Sequence, residues 1–152
     1  MAMNHDTLPV LNRILARESR TLLQYLSDAW PWASAGERDT LAELRRLIAE
    51  EREATQRVGD LLVRRRGVPA VGAYPEGFSE THYLAMDHLL PRLVAYQRWA
   101  LKELEHDLTQ LAGDDEAAAV ARQLFDVKRR HLETLETLAA RHAGPKAAST
   151  RK

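Results

Sequence analysis

Four stretches of this chain carry apolar side chains at alternating steps of three and four residues, and every stripe is interrupted halfway along by a polar side chain. The spacing marks one face of a helix, and four such faces within one domain's length must bury against one another. The first stripe is Leu11, Ile14, Leu15, Leu22, Tyr25 and Leu26, with Glu18 in its middle and Asp6 or Thr7 as its N-cap. It is predicted to stop near Trp30-Pro31-Trp32, because Pro31 disfavours helical geometry in Trp30, and Ser34-Ala35-Gly36-Glu37 then supplies a turn and a fresh cap. The second, Leu41, Leu44, Ile48, Thr55, Val58 and Leu62, is interrupted by Glu51 and closes at Gly67-Val68-Pro69. The third, capped by Ser79 or Thr81, carries Met86, Leu90, Leu93, Ala100, Leu104, Leu108 and Leu111 around Gln97 and ends before Gly113. Pro91 would kink this helix unless it starts near Leu89. The fourth, capped by Asp114 or Asp115, carries Val120, Leu124, Val127, Leu135 and Leu138 around Lys128 and His131, and Gly144-Pro145 is its stop signal.

The segment from Gly67 to Ser79 holds three glycines and two prolines without periodicity, so it reads as a long crossover joining parallel helices. The expected architecture is all-α: one bundle of two helical hairpins over residues 6–142, followed by a disordered tail over 143–152. With 152 residues and 45% apolar content the chain suffices for one such domain. Twenty-two basic and 22 acidic residues cancel, which argues against nucleic acid or an anionic membrane as a partner. The absence of cysteine removes disulfides, thiolate catalysis and zinc–thiolate sites, and fits a reducing cytoplasm. No stretch approaches the ~18 uninterrupted apolar residues of a membrane span, and Met1 to Asp6 lacks the pattern of an export signal.

Glu18, Glu51, Gln97, Lys128 and His131 stand at one height of the expected bundle and would meet inside it. A carboxylate persists in such a place only when it binds metal, finds a cation or reaches water, since burying it alone costs several kcal/mol.

The residues Leu11-Asn12-Arg13-Ile14-Leu15-Ala16-Arg17-Glu18, followed by Gln24-Tyr25 and Ala29, resemble the first helix of bacterioferritins, and Gly67-Val68-Pro69 resembles the close of their second. The similarity extends over Leu11 to Leu138 and implies a ferritin-like four-helix bundle. That family holds two irons with a glutamate from each of two helices and a Glu-x-x-His from each of the others. By resemblance Glu18 and Glu51 retain glutamate positions and His131 a histidine position, whereas Ala54, Gln97 and Lys128 stand where a histidine and two glutamates are expected. The alternative registers Glu50-x-x-Glu53 and Glu53-x-x-Gln56 restore no histidine, and Arg52 replaces the haem-binding methionine. The resemblance therefore implies a degenerate di-iron site without metal or haem.

The expectation is a non-catalytic ferritin-like protein, structural or binding in role, in which the Lys128 ammonium takes the place of the irons and pairs with Glu18 and Glu51 while Gln97 and His131 complete the hydrogen bonds. A second reading keeps a mononuclear iron or zinc on Glu18, Glu51 and His131, with oxidoreductase or metal-handling activity. A homodimer through the outer faces of the first hairpin is a further implication of the resemblance. Trp30, Trp32 and Tyr74 are expected to pack across one bundle end, and Arg64-Arg65-Arg66 and Lys128-Arg129-Arg130 to form solvated helix faces. His82, His88, His106 and His142 lack ligand spacing, and Ser19, Ser27 and Thr55 have no histidine at a helical step.

Overall fold

The computed structural model describes residues 4–28, 35–70 and 72–150, and it is all-helical: α1 (Asn4–Glu18), α2 (Leu22–Asp28), α3 (Arg38–Arg64), α4 (Met86–Gln110) and α5 (Asp115–Thr150). Short 3-10 segments, Ala35–Glu37 and Glu76–Tyr83, lead into α3 and α4. No helix among the described residues is long and apolar enough to cross a membrane. Trp30-Pro31-Trp32 and the Ser34 end of the expected turn lie outside the described residues.

The first stripe is not one helix. It begins at Asn4, upstream of the expected caps Asp6 and Thr7, and breaks at Ser19-Arg20-Thr21. Arg20 N–H bonds the Arg17 carbonyl at 3.2 Å, a tightened last turn, and the Thr21 hydroxyl accepts the Gln24 N–H at 3.1 Å, capping α2 afresh. The second stripe closes as expected ahead of Gly67, but the left-handed residue is Arg66, with φ 65°. Gly67 N–H reaches the Leu62 carbonyl at 2.8 Å and Arg66 N–H the Val63 carbonyl at 2.9 Å, the bonding pattern of a Schellman stop. Gly67 is needed for space, since a Cβ there would lie 2.4 Å from Leu62 Cδ1 and 3.1 Å from the Leu62 carbonyl oxygen.

Neither Ser79 nor Thr81 caps the third long helix. Both belong to the preceding 3-10 segment, where Thr81 Oγ1 donates to the Phe78 carbonyl, and Ala85 stands at the N-cap of α4. This helix starts at Met86, ahead of Leu89, and carries Pro91 inside it with the ring exposed. Asp114 does cap α5, accepting the Ala117 N–H at 3.2 Å, while Arg65 grips the same carboxylate and holds it down to about 2. The helical backbone of α5 then continues past the Gly144-Pro145 stop signal to Thr150. A proline removes one helical hydrogen bond without ending the alanine-rich turns around it, which favour helix.

The helices pack as a closed ring: α1 and α2 lie on α3 and α4, and α5 lies on the same two from the other side. Gln24 Nε2 bonds the Ile48 carbonyl at 3.0 Å, Arg17 meets Asp107 and Arg13 meets Gln110, Thr40 meets His142, and Arg98 meets Glu136. These pairings make ring neighbours antiparallel, so α3 and α4 run parallel on a diagonal and residues 65–85 return the chain along the length of the bundle. The return leg is tied down by Asn12 Nδ2 on the Val68 carbonyl and Arg20 Nε on the Gly72 carbonyl, both at 2.8 Å. Tyr74 packs edge-on against Tyr25 at 5.1 Å, beside Phe78.

The interior is divided. One apolar cluster gathers Leu22, Leu26, Leu44, Ile48, Leu90, Leu93 and Leu135, and another gathers Leu11, Ile14, Val58, Leu62, Leu104 and Leu124. Along α1–α2, α3 and α5 the switch from one cluster to the other falls at Glu18, Glu51 and Lys128, and on α4 Gln97 follows directly on the first cluster.

Candidate functional site

Lys128 is wholly buried, and Glu18, Glu51, Gln97 and His131 are each 2% exposed. All five sequence-predicted residues meet in one layer. The Lys128 ammonium lies 2.8 Å from Glu18 Oε1 and 3.1 Å from Glu51 Oε1, with Gln97 Oε1 at 3.5 Å, so its three protons face three oxygens from three helices. Gln97 Nε2 donates to Glu51 Oε2 at 2.8 Å and to the Lys128 carbonyl at 3.0 Å, joining α4 to both α3 and α5.

His131 places Nδ1 2.8 Å from Glu51 Oε2 and Nε2 2.8 Å from Glu50 Oε1. Both ring nitrogens therefore face carboxylate oxygens. On the opposite side Glu18 Oε2 receives Arg17 Nε at 2.9 Å, Arg17 lies 2.9 Å from Asp107 Oδ2, and Asp107 Oδ1 takes Arg13 at 2.8 Å. The result is a chain across the bundle, Glu50, His131, Glu51, Lys128, Glu18, Arg17, Asp107 and Arg13, in which acidic and basic groups alternate. Only its ends reach solvent freely, the Glu50 side chain at 41% and Arg13 at 46% exposure.

Electrostatics follow from that order. Burial alone would drive the Glu51 carboxyl up, but Lys128 and the hydrogen bonds from His131 and Gln97 bring it down to about 2. Burial likewise opposes the charge on Lys128, and Glu18 and Glu51 together outweigh it, raising the ammonium above its ordinary value. Arg17 is desolvated too, yet Glu18 and Asp107 hold it above its ordinary value. The Tyr96 phenol is pushed up to about 12 by burial and by the charge of Glu18.

Sequence reasoning missed Glu50, Arg17, Asp107 and Arg13 as members. Asp107 is 1% exposed and carried a signal, standing three residues after Leu104 and four before Leu111, on the stripe itself. The inward positions of α5 are Ala117, Ala121, Leu124 and Lys128, whereas Val120 and Val127 lie at the edge of the buried face. Of the rejected register partners, Glu53 and Gln56 are exposed and engage Arg57 and Asp60 along α3. Ala54 is buried within the second apolar cluster. Arg64 and Arg65 are paired with Glu116 and Asp114, and His88 and His106 are exposed.

The donor set does not suit a di-iron centre. The carboxylate oxygens that a metal would use converge on an ammonium, which repels a divalent ion, and the positions of Ala54 and Gln97 offer no imidazole or carboxylate. Among the described residues no three His, Asp or Glu side chains gather as a metal would require. No family model, curated protein or solved structure matches the chain.

Proposed function

We propose that this chain is a ferritin-like bundle in which a lysine ammonium stands in for the metal centre, and that it serves a structural or binding role rather than an oxidative one. The observation that carries the reading is Lys128 Nζ, without solvent exposure, within hydrogen-bond distance of carboxylates from α1 and α3. Support comes from the order of the helices: antiparallel neighbours in a ring with the long connection crossing a diagonal is the arrangement of ferritin-like bundles. In such a molecule the charged layer fixes the stagger of the helices, because each of α1, α3, α4 and α5 contributes a polar group that is satisfied at one height only.

Elemental analysis of protein purified without chelator tests the reading. The expected result is no stoichiometric iron or zinc, before or after incubation with either ion. One firmly held metal per chain, lost in Glu18→Gln and Glu51→Gln variants, would replace it with the mononuclear reading on Glu18, Glu51 and His131 and its oxidoreductase or metal-handling activity. The ferritin-like reading also implies a homodimer through α1 and α3, which light scattering on the purified chain measures.

A further inference from the structure

The break between α1 and α2 opens a cavity of about 240 Å³ against α3, with Glu18 among its lining residues and Arg20, Arg52, Thr55 and Tyr74 around it. Its two arginines are held differently from eight others in the molecule. Arg13, Arg17, Arg46, Arg57, Arg64, Arg65, Arg92 and Arg98 each pair with a carboxylate. Arg52 instead bonds Gln24 Oε1 at 3.2 Å and Ser27 Oγ at 3.0 Å. Arg20 bonds the carbonyls of Gly72 and Ser19, and its guanidinium lies over the Tyr74 ring at 5.1 Å.

Among the described residues the acidic groups of the cavity form their contacts elsewhere. Glu18 is committed to Lys128 and Arg17, and Asp28 takes the Tyr74 hydroxyl at 3.4 Å. Two guanidinium groups held in place by neutral oxygens, facing one polar cavity, form a charge-matched recess for a planar or tetrahedral oxyanion. We infer that this cavity is a binding site for a small anion bearing a carboxylate or phosphate group, gripped by Arg20 and Arg52 and oriented by the hydroxyl of Thr55. The cavity borders the buried layer at Glu18, whose charge is taken up by Lys128 and Arg17.

Calorimetric titration of the full chain with inorganic phosphate and, separately, with acetate tests the inference, with sodium chloride of equal ionic strength as the blank. The expected result is saturable binding of at least one of the two, weakened by about tenfold or more in Arg52→Gln and in Arg20→Gln, a loss of ~1.4 kcal/mol or more. Binding of phosphate alone assigns a phosphorylated ligand, and binding of acetate alone a carboxylate. Since Arg20 also anchors the return leg at Gly72, amide shifts in the unaltered chain provide a second reading, and they are expected to concentrate at Thr21, Gln24 and Thr55. No saturation with either anion, undiminished affinity in the Arg20→Gln/Arg52→Gln double variant, or shifts spread evenly over the surface would overturn the site.

Discussion

Replacing Lys128 by methionine keeps most of the stem's bulk and deletes the charge, leaving the Oε1 atoms of Glu18 and Glu51 without the cation on which they converge. In the parent protein the Glu51 carboxyl sits at about 2 against an ordinary 4.5, which by linkage contributes about 3 kcal/mol of stability at neutral pH. Losing one partner of a buried ion pair leaves an uncompensated charge, so the full cost is about 3–5 kcal/mol, or a melting temperature lower by roughly 6–20 °C for a chain of this size. The pH response should also change sign. A carboxyl held below its ordinary value stabilises the fold fully above 4.5 and loses that contribution as pH falls toward 2. Without the ammonium, burial, the largest single influence on Glu51, loses its main opponent and raises that carboxyl, so the variant should gain stability as it is acidified from neutrality toward about pH 5. Urea unfolding followed by circular dichroism at both pH values measures the effect, and adding Glu18→Gln and Glu51→Gln should recover most of the loss. A Lys128→Met protein within about 1 kcal/mol of the parent at neutral pH, or one with an unchanged pH slope, would refute the reasoning.

Arg66→Gly should raise the urea midpoint, adding about 1 kcal/mol, because it relieves a left-handed backbone on an exposed residue. Its neighbour behaves oppositely: Gly67→Ala forces a Cβ into Leu62 and should cost about 1–3 kcal/mol in the same experiment. Thr21→Ala removes the cap of α2 and should lower stability by about 1 kcal/mol, whereas Thr21→Ser should be close to the parent in a thermal melt. Asp107→Ala leaves the largely covered Arg17 with Glu18 alone and should cost about 1–3 kcal/mol by chemical denaturation, more than Glu53→Ala at the exposed end of a surface pair.

Much of this was legible because period and burial coincide. Leu44, Ile48, Val58 and Leu62 repeat at helical steps and all fall in the core, and Glu51 could be placed among them without knowing any neighbour. The interruption of α1 was not legible, since Thr21 caps a helix only once Ser19 and Arg20 have left helical geometry, and nothing in Leu11 to Leu26 breaks the stripe. Glu50 escaped notice for a different reason: it lies beside the stripe, and its role arises from the reach of His131 on another helix. Asp107 was readable by position and was masked by Leu108 next to it, which fits the same period one residue later.

The placement of the charged layer bears on why such an expensive arrangement persists. Leucine makes up most of one apolar cluster and half of the other, and sliding α5 by one turn would present Leu124 or Leu132 in place of Lys128. Hydrophobic burial alone separates such staggers weakly, because it is non-directional and scales with area. The same slide would carry Lys128 into a leucine cluster and leave Glu18 and Glu51 facing hydrocarbon, with a cost of several kcal/mol at both places. A buried ion pair contributes little when the packed state is compared with an apolar replacement, but it contributes strongly when that state is compared with its misaligned neighbours. On this argument the layer earns its place through alignment: helices that leucine can hold together in several ways are held in one way by a lysine that finds both glutamates at a single height.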